Sequence, residues 1–397
     1  MTSEVLDVLI VGAGAAGMMC AAEAGKRGRS VLVVDHARDP GEKIRISGGG
    51  RCNFTNLGCG PHAFLGENPR FAASALSRYT QHDFIALVNR YGIGWHEKTL
   101  GQLFCDDSAK AIVALLVREL KGAGATLSLG TSVETVEDGP DGGFAVTLSD
   151  GRRLAVAALV LATGGKSIPK MGATSWAYDT ARSFGLRVTD TRPALVPLTF
   201  ETGLLERLKP LAGVAQPDAV VKAGAGRFRE GVLFTHRGLS GPAVLQVSSY
   251  WREGEAIEVD LAPDLDLGIV LKARKRAAGR QGVVTALAEA LPRRLAERVA
   301  EEAEATGTLA DQPDARLAAL GEAVNRWRVK PVGSEGYRTA EVTLGGVATD
   351  ELNQKTLEAR RRPGLFVIGE AVDITGWLGG YNFQWAWSSG WAAGQAC

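Results

Sequence analysis

Two apolar spacings alternate along this chain, and together they predict its elements. Residues 7–11 form an almost continuous apolar run that reads as a buried parallel strand, and the Ala-rich stretch 15–26 reads as the helix after it. A second apolar run, 30–34, predicts the next strand and stops at Asp35. Helical spacing returns over 71–91, with Phe84, Leu87 and Val88 on one face, and again over 108–120. Period-two alternation over 125–129, 133–137, 144–148 and 153–156 predicts a small antiparallel sheet around the turn Gly139-Pro140-Asp141-Gly142. Residues 158–162 predict one more buried strand, closing in Thr163-Gly164-Gly165.

The texture changes near Arg192. Short strand patterns at 195–201, 219–223, 227–234, 244–247 and 256–261, separated by Gly and Pro, predict a β-rich insert. Residues 263–329 instead carry helical spacing, at 267–271, 283–290, 295–305 and 317–327. The chain then returns to a buried strand ending at Gly369-Glu370, and a helix beginning near Tyr381 or Asn382. The division follows: 1–191 with 341–397 as one discontinuous α/β domain, 192–262 with 330–340 as a β-rich domain, and 263–329 as a helical domain.

Glycines mark where the chemistry lies. In Gly12-Ala13-Gly14-Ala15-Ala16-Gly17, the first glycine permits the tight turn, the second lets a pyrophosphate approach the backbone, and the third brings helix and strand together. Free N–H groups and the positive end of the helix dipole then face the diphosphate. Asp35 closes the second strand about twenty residues on, where a carboxylate accepts from ribose hydroxyls. The stretch 40–56 contains Ser47-Gly48-Gly49-Gly50-Arg51-Cys52-Asn53, a run of glycines unsuited to helix or strand and expected as a loop rich in donors. Arg51 is its best-placed fixed cation. Cys52 reads first as a small packing residue, with a place beside a redox centre as the alternative. The strand end Ala162-Thr163-Gly164, in this order after the first fingerprint, is the arrangement of two-dinucleotide-binding flavoproteins. Near the C-terminus, Gly369 would let a ribityl-phosphate chain pass, and Glu370 or Asp373 would accept from a hydroxyl. Gly379-Gly380-Tyr381-Asn382 would aim a second helix N-terminus at the edge of a flavin where charge gathers on reduction.

Bulk properties narrow the field. The chain has 397 residues and a net charge of +1, so no global field draws it to nucleic acid or a charged membrane. No apolar run reaches bilayer length, and Glu4 and Asp7 replace the basic start of a secretory signal. Five irregularly spaced cysteines fit a reducing cytoplasm and form no metal-binding pattern, so no metal is expected. The basic run 272–276 invites RNA, but nearby Glu289, Glu297, Glu301 and Glu302 balance it, and a solvated helix face is the preferred reading. The turn 234–242 holds His236 and Ser240 without a nucleophile-elbow context. It reads as the cap of a helix starting near Pro242, with Ser240 as N-cap and His236 free to face a ligand.

The fingerprint 7–17, the loop 41–56, the turn 234–242, Glu341-Val342-Thr343-Leu344-Gly345-Gly346-Val347 and the stretch 364–390 together resemble the BaiN/RdsA-type NAD(P)/FAD-dependent oxidoreductases, also called the aminoacetone oxidase family of FAD-binding flavoproteins. The resemblance covers essentially the whole chain. It implies a glutathione-reductase-like, Rossmann-type FAD domain with a parallel sheet, an inserted β-barrel-like domain and a helical domain. It also implies an FAD site assembled from Gly12, Gly14, Ala15, Ala16, Gly17, Asp35, His36, Lys43, Ser47, Gly48, Gly49, Arg51, Cys52, Asn53, Val133, Ala162, Thr163, Gly164, Gly369, Glu370, Asp373, Gly379, Gly380, Tyr381 and Asn382. Where the family often has Asp-Val-Asp-Gly, this chain has Asp373-Ile374-Thr375-Gly376, followed by Trp377. Arg51, His236, Trp377 and Tyr381 are the candidate catalytic residues.

The expectation is a cytoplasmic flavoenzyme moving hydride between FAD and a small molecule, with NAD(P)H as a transient reductant and substrate entering between the FAD domain and the insert. No nucleic acid and no membrane are expected as partners, and nothing in the sequence sets an oligomeric state. A small-amine oxidase producing hydrogen peroxide is one alternative. A flavin-dependent RNA-modifying protein and a non-catalytic flavin binder are the others.

Overall fold

A computed structural model describes residues 4–139 and 142–397; Pro140 and Asp141, half of the turn expected at 139–142, lie outside the described residues. The chain forms two compact units, Met1–Arg192 with Val342–Cys397, and Pro193–Glu341.

In the first unit the strand Glu4–Val11 lies between Val31–Asp35 and Arg153–Leu161, parallel to both. Thr126–Leu129 extends this sheet beyond Val31–Asp35, and Leu365–Val367 pairs with Arg153–Leu161, again in parallel. The helix Ala15–Lys26 has the bounds its sequence predicts. Of the expected antiparallel strands, Val133–Asp138, Phe144–Leu148 and the start of Arg153–Leu161 do pair antiparallel, but as part of this same sheet, while Thr126–Leu129 pairs in parallel. Arg153–Leu161 is one continuous strand whose first half pairs antiparallel with Phe144–Leu148 and whose last residues pair with Leu365–Val367. The exposed Ala157 interrupts the apolar pattern without turning the chain, because neither Gly nor Pro stands between 153 and 161.

Two other expectations change. The helical stretch 71–91 breaks at Tyr79 into Ala72–Arg78 and Gln81–Arg90, where Thr80 and Asp83 form a reciprocal capping box. The expected loop at 40–56 is in part regular: a helical turn begins at Glu42, leaves helical geometry at Ser47, Gly48 and Gly49, and is followed by the strand Asn53–Asn56. That strand joins Gln102–Cys105 and Trp95–Glu97 in a small antiparallel sheet.

The second unit is a seven-stranded antiparallel sheet in the order Trp327–Val329, Ile257–Asp260, Ala215–Ala223, Gly226–Phe234, Gly238–Ser240, Leu198–Thr199, Gly333–Ser334. Laid flat, its edges would stand about 29 Å apart. Residues 330–332 join those edges and span at most about 15 Å. The sheet therefore curls toward itself. Helices Leu267–Ala278, Val283–Leu287, Arg293–Glu302 and Asp314–Asn325 put Leu271, Leu287, Leu295 and Leu317 into the same apolar cluster as Val221, Phe234 and Val259, so strands and helices share one core. The helix expected to start near Pro242 is present as Pro242–Ser248 and takes in residues 244–247, which also carried a strand pattern. Its N-cap is Gly241 rather than Ser240, because proline at the first position preorganises the turn and Ser240 ends the preceding strand.

Candidate active site

The first glycine turn is built by close approach. A Cβ on Gly12 would lie 2.4 Å from the Ala162 carbonyl oxygen, and one on Gly17 would lie 1.9 Å from the Gly12 carbonyl oxygen. Gly12 also takes φ +114°, which only glycine adopts without strain. Gly14, by contrast, faces open space. It caps the helix Ala15–Lys26 with no side-chain hydrogen bond, so the N–H groups of the first turn, at Ala15 and Ala16, point outward unpaired by any cap. Beside them the Thr163 hydroxyl is buried without a partner among the described residues, next to Gly164 at φ +75°. An uncapped helix start, an open glycine and an orphaned hydroxyl suit the diphosphate of an extended dinucleotide.

Asp35 braces this turn as well as facing it. One carboxylate oxygen accepts the Ala13 N–H at 2.7 Å, the other the Ala37 N–H at 2.8 Å, and each keeps a lone pair for a ribose hydroxyl. His36 lies half exposed beside it, 3.6 Å away. The Thr131 N–H donates to the Asp35 carbonyl, which draws the start of the Val133 strand alongside.

Toward the middle, Lys43 Nζ donates to Glu370 Oε2 at 2.7 Å and to Ser167 Oγ at 2.6 Å. Ser167 Oγ and the Thr343 N–H both donate to Glu370 Oε1, at 3.0 and 2.9 Å. Glu370 thus ties the glycine loop to the closing strand. Gly369 takes φ +64°, and a Cβ there would be 3.0 Å from Ala16, so the closing turn meets the first helix. Asp373, only 2% exposed, accepts the Glu67 N–H at 2.9 Å. Burial raises its carboxyl above the ordinary range, partly offset by that bond. Its side chain braces a neighbouring loop in place of the expected cofactor hydroxyl.

At the far end, Gly48 and Gly49 take φ +58° and +66° and are exposed, while Ser47 Oγ turns back to the Ile44 carbonyl. Arg51 is exposed and makes no ion pair among the described residues. Cys52 is fully buried and its thiol is pushed up by burial, so it packs as a neutral side chain. A Cβ on Gly48 would lie 2.7 Å from the Phe104 ring, one on Gly379 3.0 Å from Gln102, and one on Gly380 2.5 Å from the Thr55 carbonyl carbon. Both glycine turns therefore meet the small sheet, and Asn56 Nδ2 fastens the second by donating to the Gly379 carbonyl at 2.9 Å. The helix Tyr381–Gly394 starts there, with Gly380 as its N-cap and no side-chain cap, so the positive end of its dipole is set at this turn. Asn382 clamps its own turn, accepting the Gly376 N–H and donating to the Gly376 carbonyl. Trp377 stands edge-on between Tyr381, at 6.0 Å, and His62, at 5.6 Å. His236 is exposed in a turn of the second unit.

Sequence reasoning passed over Asn56, Gln102, Phe104, Ser167 and the pair His96–Asp106. The alternation of 95–105 around Thr99-Leu100-Gly101 was the available signal for the hairpin. Among the described residues, no group of His, Cys, Asp and Glu is arranged to hold a metal ion, and no helix is long and apolar enough to cross a membrane.

Comparison with known proteins settles the family. Residues 6–396 match the HI0933-like protein Rossmann domain. The chain belongs to that family, whose members are FAD-dependent oxidoreductases, and it is an FAD-dependent enzyme. It is 53% identical to the ribosomal RNA dihydrouridine synthase of Escherichia coli (strain K12), over 99% of this chain and 98% of that one. The protein of the same name from Haemophilus influenzae is 43% identical over 98% of each chain. A 3-dehydro-bile acid delta(4,6)-reductase from Clostridium scindens is 29% identical over 98% of each. The first two overturn the expectation that nucleic acid plays no part. A net charge near zero measures the whole surface and does not exclude a local RNA-binding face.

Proposed function

We propose that this protein is a flavin-dependent reductase that saturates the C5–C6 bond of uridine in ribosomal RNA, with NAD(P)H as its electron source. The observation that carries the reading is the 53% identity, along the full length, to a protein named for that reaction. The 29% identical relative is named for another ring double-bond reduction, which favours reduction over amine oxidation. Bound FAD supplies two-electron hydride chemistry. The first turn of the helix Ala15–Lys26 with Thr163 and Gly164 would hold its diphosphate, and Asp35 its ribose. Lys43 and Glu370 fix the closing turn against the glycine loop. The positive end of the helix Tyr381–Gly394 would lie toward a carbonyl edge of the ring, beside Gly49, which faces open space.

Few cations of the run 272–276 remain available for phosphate. Arg274 pairs with Glu289, and Lys275 with Asp314 at 2.9 Å.

Anaerobic stopped-flow tests the reading. NADPH or NADH should bleach the flavin, an unmodified ribosomal RNA transcript should restore its colour, and dihydrouridine should appear in the digested RNA. Bleaching by aminoacetone, with no reoxidation by RNA, would replace this reading with an amine oxidase.

A further inference from the structure

We propose that His96, oriented by Asp106, is the proton donor of the reduction; this rests on the reading of the substrate as a uracil ring. Saturating a carbon–carbon double bond adds a hydride to one carbon and a proton to its neighbour. The hydride originates in NAD(P)H, which leaves oxidised. The proton needs an acid: of the candidates taken from the sequence, Arg51 does not release protons and the Trp377 indole is not an acid near neutral pH, which leaves the buried Tyr381 and His236, on an exposed turn of the second unit, as the alternatives.

The small sheet supplies a better one. His96 pairs in register with Phe104, and Phe104 with Asn53, so all three side chains share one face. Gln102 and Asn56, opposite each other, share it too. This is the face on which both glycine turns rest, Gly48 against Phe104 and Gly379 against Gln102. His96 stacks on Phe104, at 6.2 Å and 17° between planes, while Glu97, its titratable neighbour on the outer strand, pairs with Leu103 on the other face. Its Nδ1 lies 2.7 Å from Asp106 Oδ1, with the two side chains 44% and 49% exposed, and its Nε2 has no partner among the described residues. A carboxylate on one ring nitrogen fixes the ring and stabilises the imidazolium, leaving the other nitrogen to pass a proton outward. Lys98, whose Nζ lies 5.4 Å from the Phe104 ring, is the other charged group on this face. In the step, the Nε2–H bond breaks as the new C–H bond forms, and water then reprotonates the ring.

The test uses the full-length FAD-loaded protein and its His96→Asn and Asp106→Asn variants. The His96→Asn protein should keep its flavin and its rate of reduction by NADPH, while reoxidation by unmodified ribosomal RNA transcript slows about a hundredfold or more. Added imidazole should restore part of that rate, and Asp106→Asn should give a smaller defect. His96→Asn reoxidising within threefold of wild type overturns the inference alone. So does loss of flavin in that variant, or equal slowing of both half-reactions, either of which marks a structural role. Wild-type protein that the RNA fails to reoxidise overturns the substrate reading, and this inference with it.

Discussion

At Gly12 a single methyl group has nowhere to go. Its Cβ would sit 2.4 Å from a backbone oxygen of the neighbouring strand, at φ +114°. Gly12→Ala should cost roughly 2–5 kcal/mol, combining strain and overpacking, and should abolish retention of FAD through purification. Denaturant unfolding and flavin absorbance check both. Asp373 makes a prediction of opposite sign. Burial raises its carboxyl, so the folded chain holds that proton more tightly than the unfolded one. The stability difference is fully present below the ordinary Asp pKa of about 3.9 and is lost as pH rises through the raised value. Asp373→Asn keeps an acceptor for the Glu67 N–H and removes the buried charge. It should raise the melting midpoint of the FAD-free protein at pH 7 and leave it unchanged near pH 3. A lower midpoint at pH 7 would contradict this account. The fingerprint glycines were legible in the sequence because their roles are set within a few residues. The partners of Glu370 and Asp373 were not, since Lys43 and Glu67 lie hundreds of positions away.

Among the elements, the helix Tyr381–Gly394 is what brings the C-terminal part of the site to the N-terminal part. It packs on the first helix through small residues: a Cβ on Gly390 would lie 2.4 Å from the Ala16 carbonyl oxygen and 3.1 Å from Met19. The Trp385 indole N–H holds the Gly369 carbonyl at 2.9 Å, linking helix and closing turn. Gly390→Val should push the helices apart, cost about 2 kcal/mol or more, and weaken FAD binding in proportion. A cooperative melt at the wild-type temperature would argue against this packing. Both helices were legible from their Ala-rich and apolar spacing. The helix Pro242–Ser248 was legible at its start, near Pro242, but not in its body, where Val244 to Val247 also fit a strand.

For the molecule as a whole, the insertion of Pro193–Glu341 into the FAD-binding unit is the main event. Its two ends are held together within the first unit, where the Thr189 N–H donates to the Gly346 carbonyl at 2.8 Å and the Gly346 N–H returns to Thr189 Oγ1 at 3.0 Å. Joining Arg192 to Val342 through a short Gly-Ser linker should leave a protein that melts cooperatively and binds FAD one to one. Failure of that shortened chain to fold would show that the first unit's own apolar core is insufficient.

By itself the sequence determined the strand–turn–helix at the start, its close-packed glycines and the β-rich insertion, because each depends on neighbours within one or two turns. Only the tertiary structure decided that Arg153–Leu161 serves two pairings at once. It also decided that both glycine turns rest on one face of a three-stranded sheet, with His96 at its edge. Those outcomes depend on which distant segments pack together, and a segment's own residues mark it as buried without naming its partner.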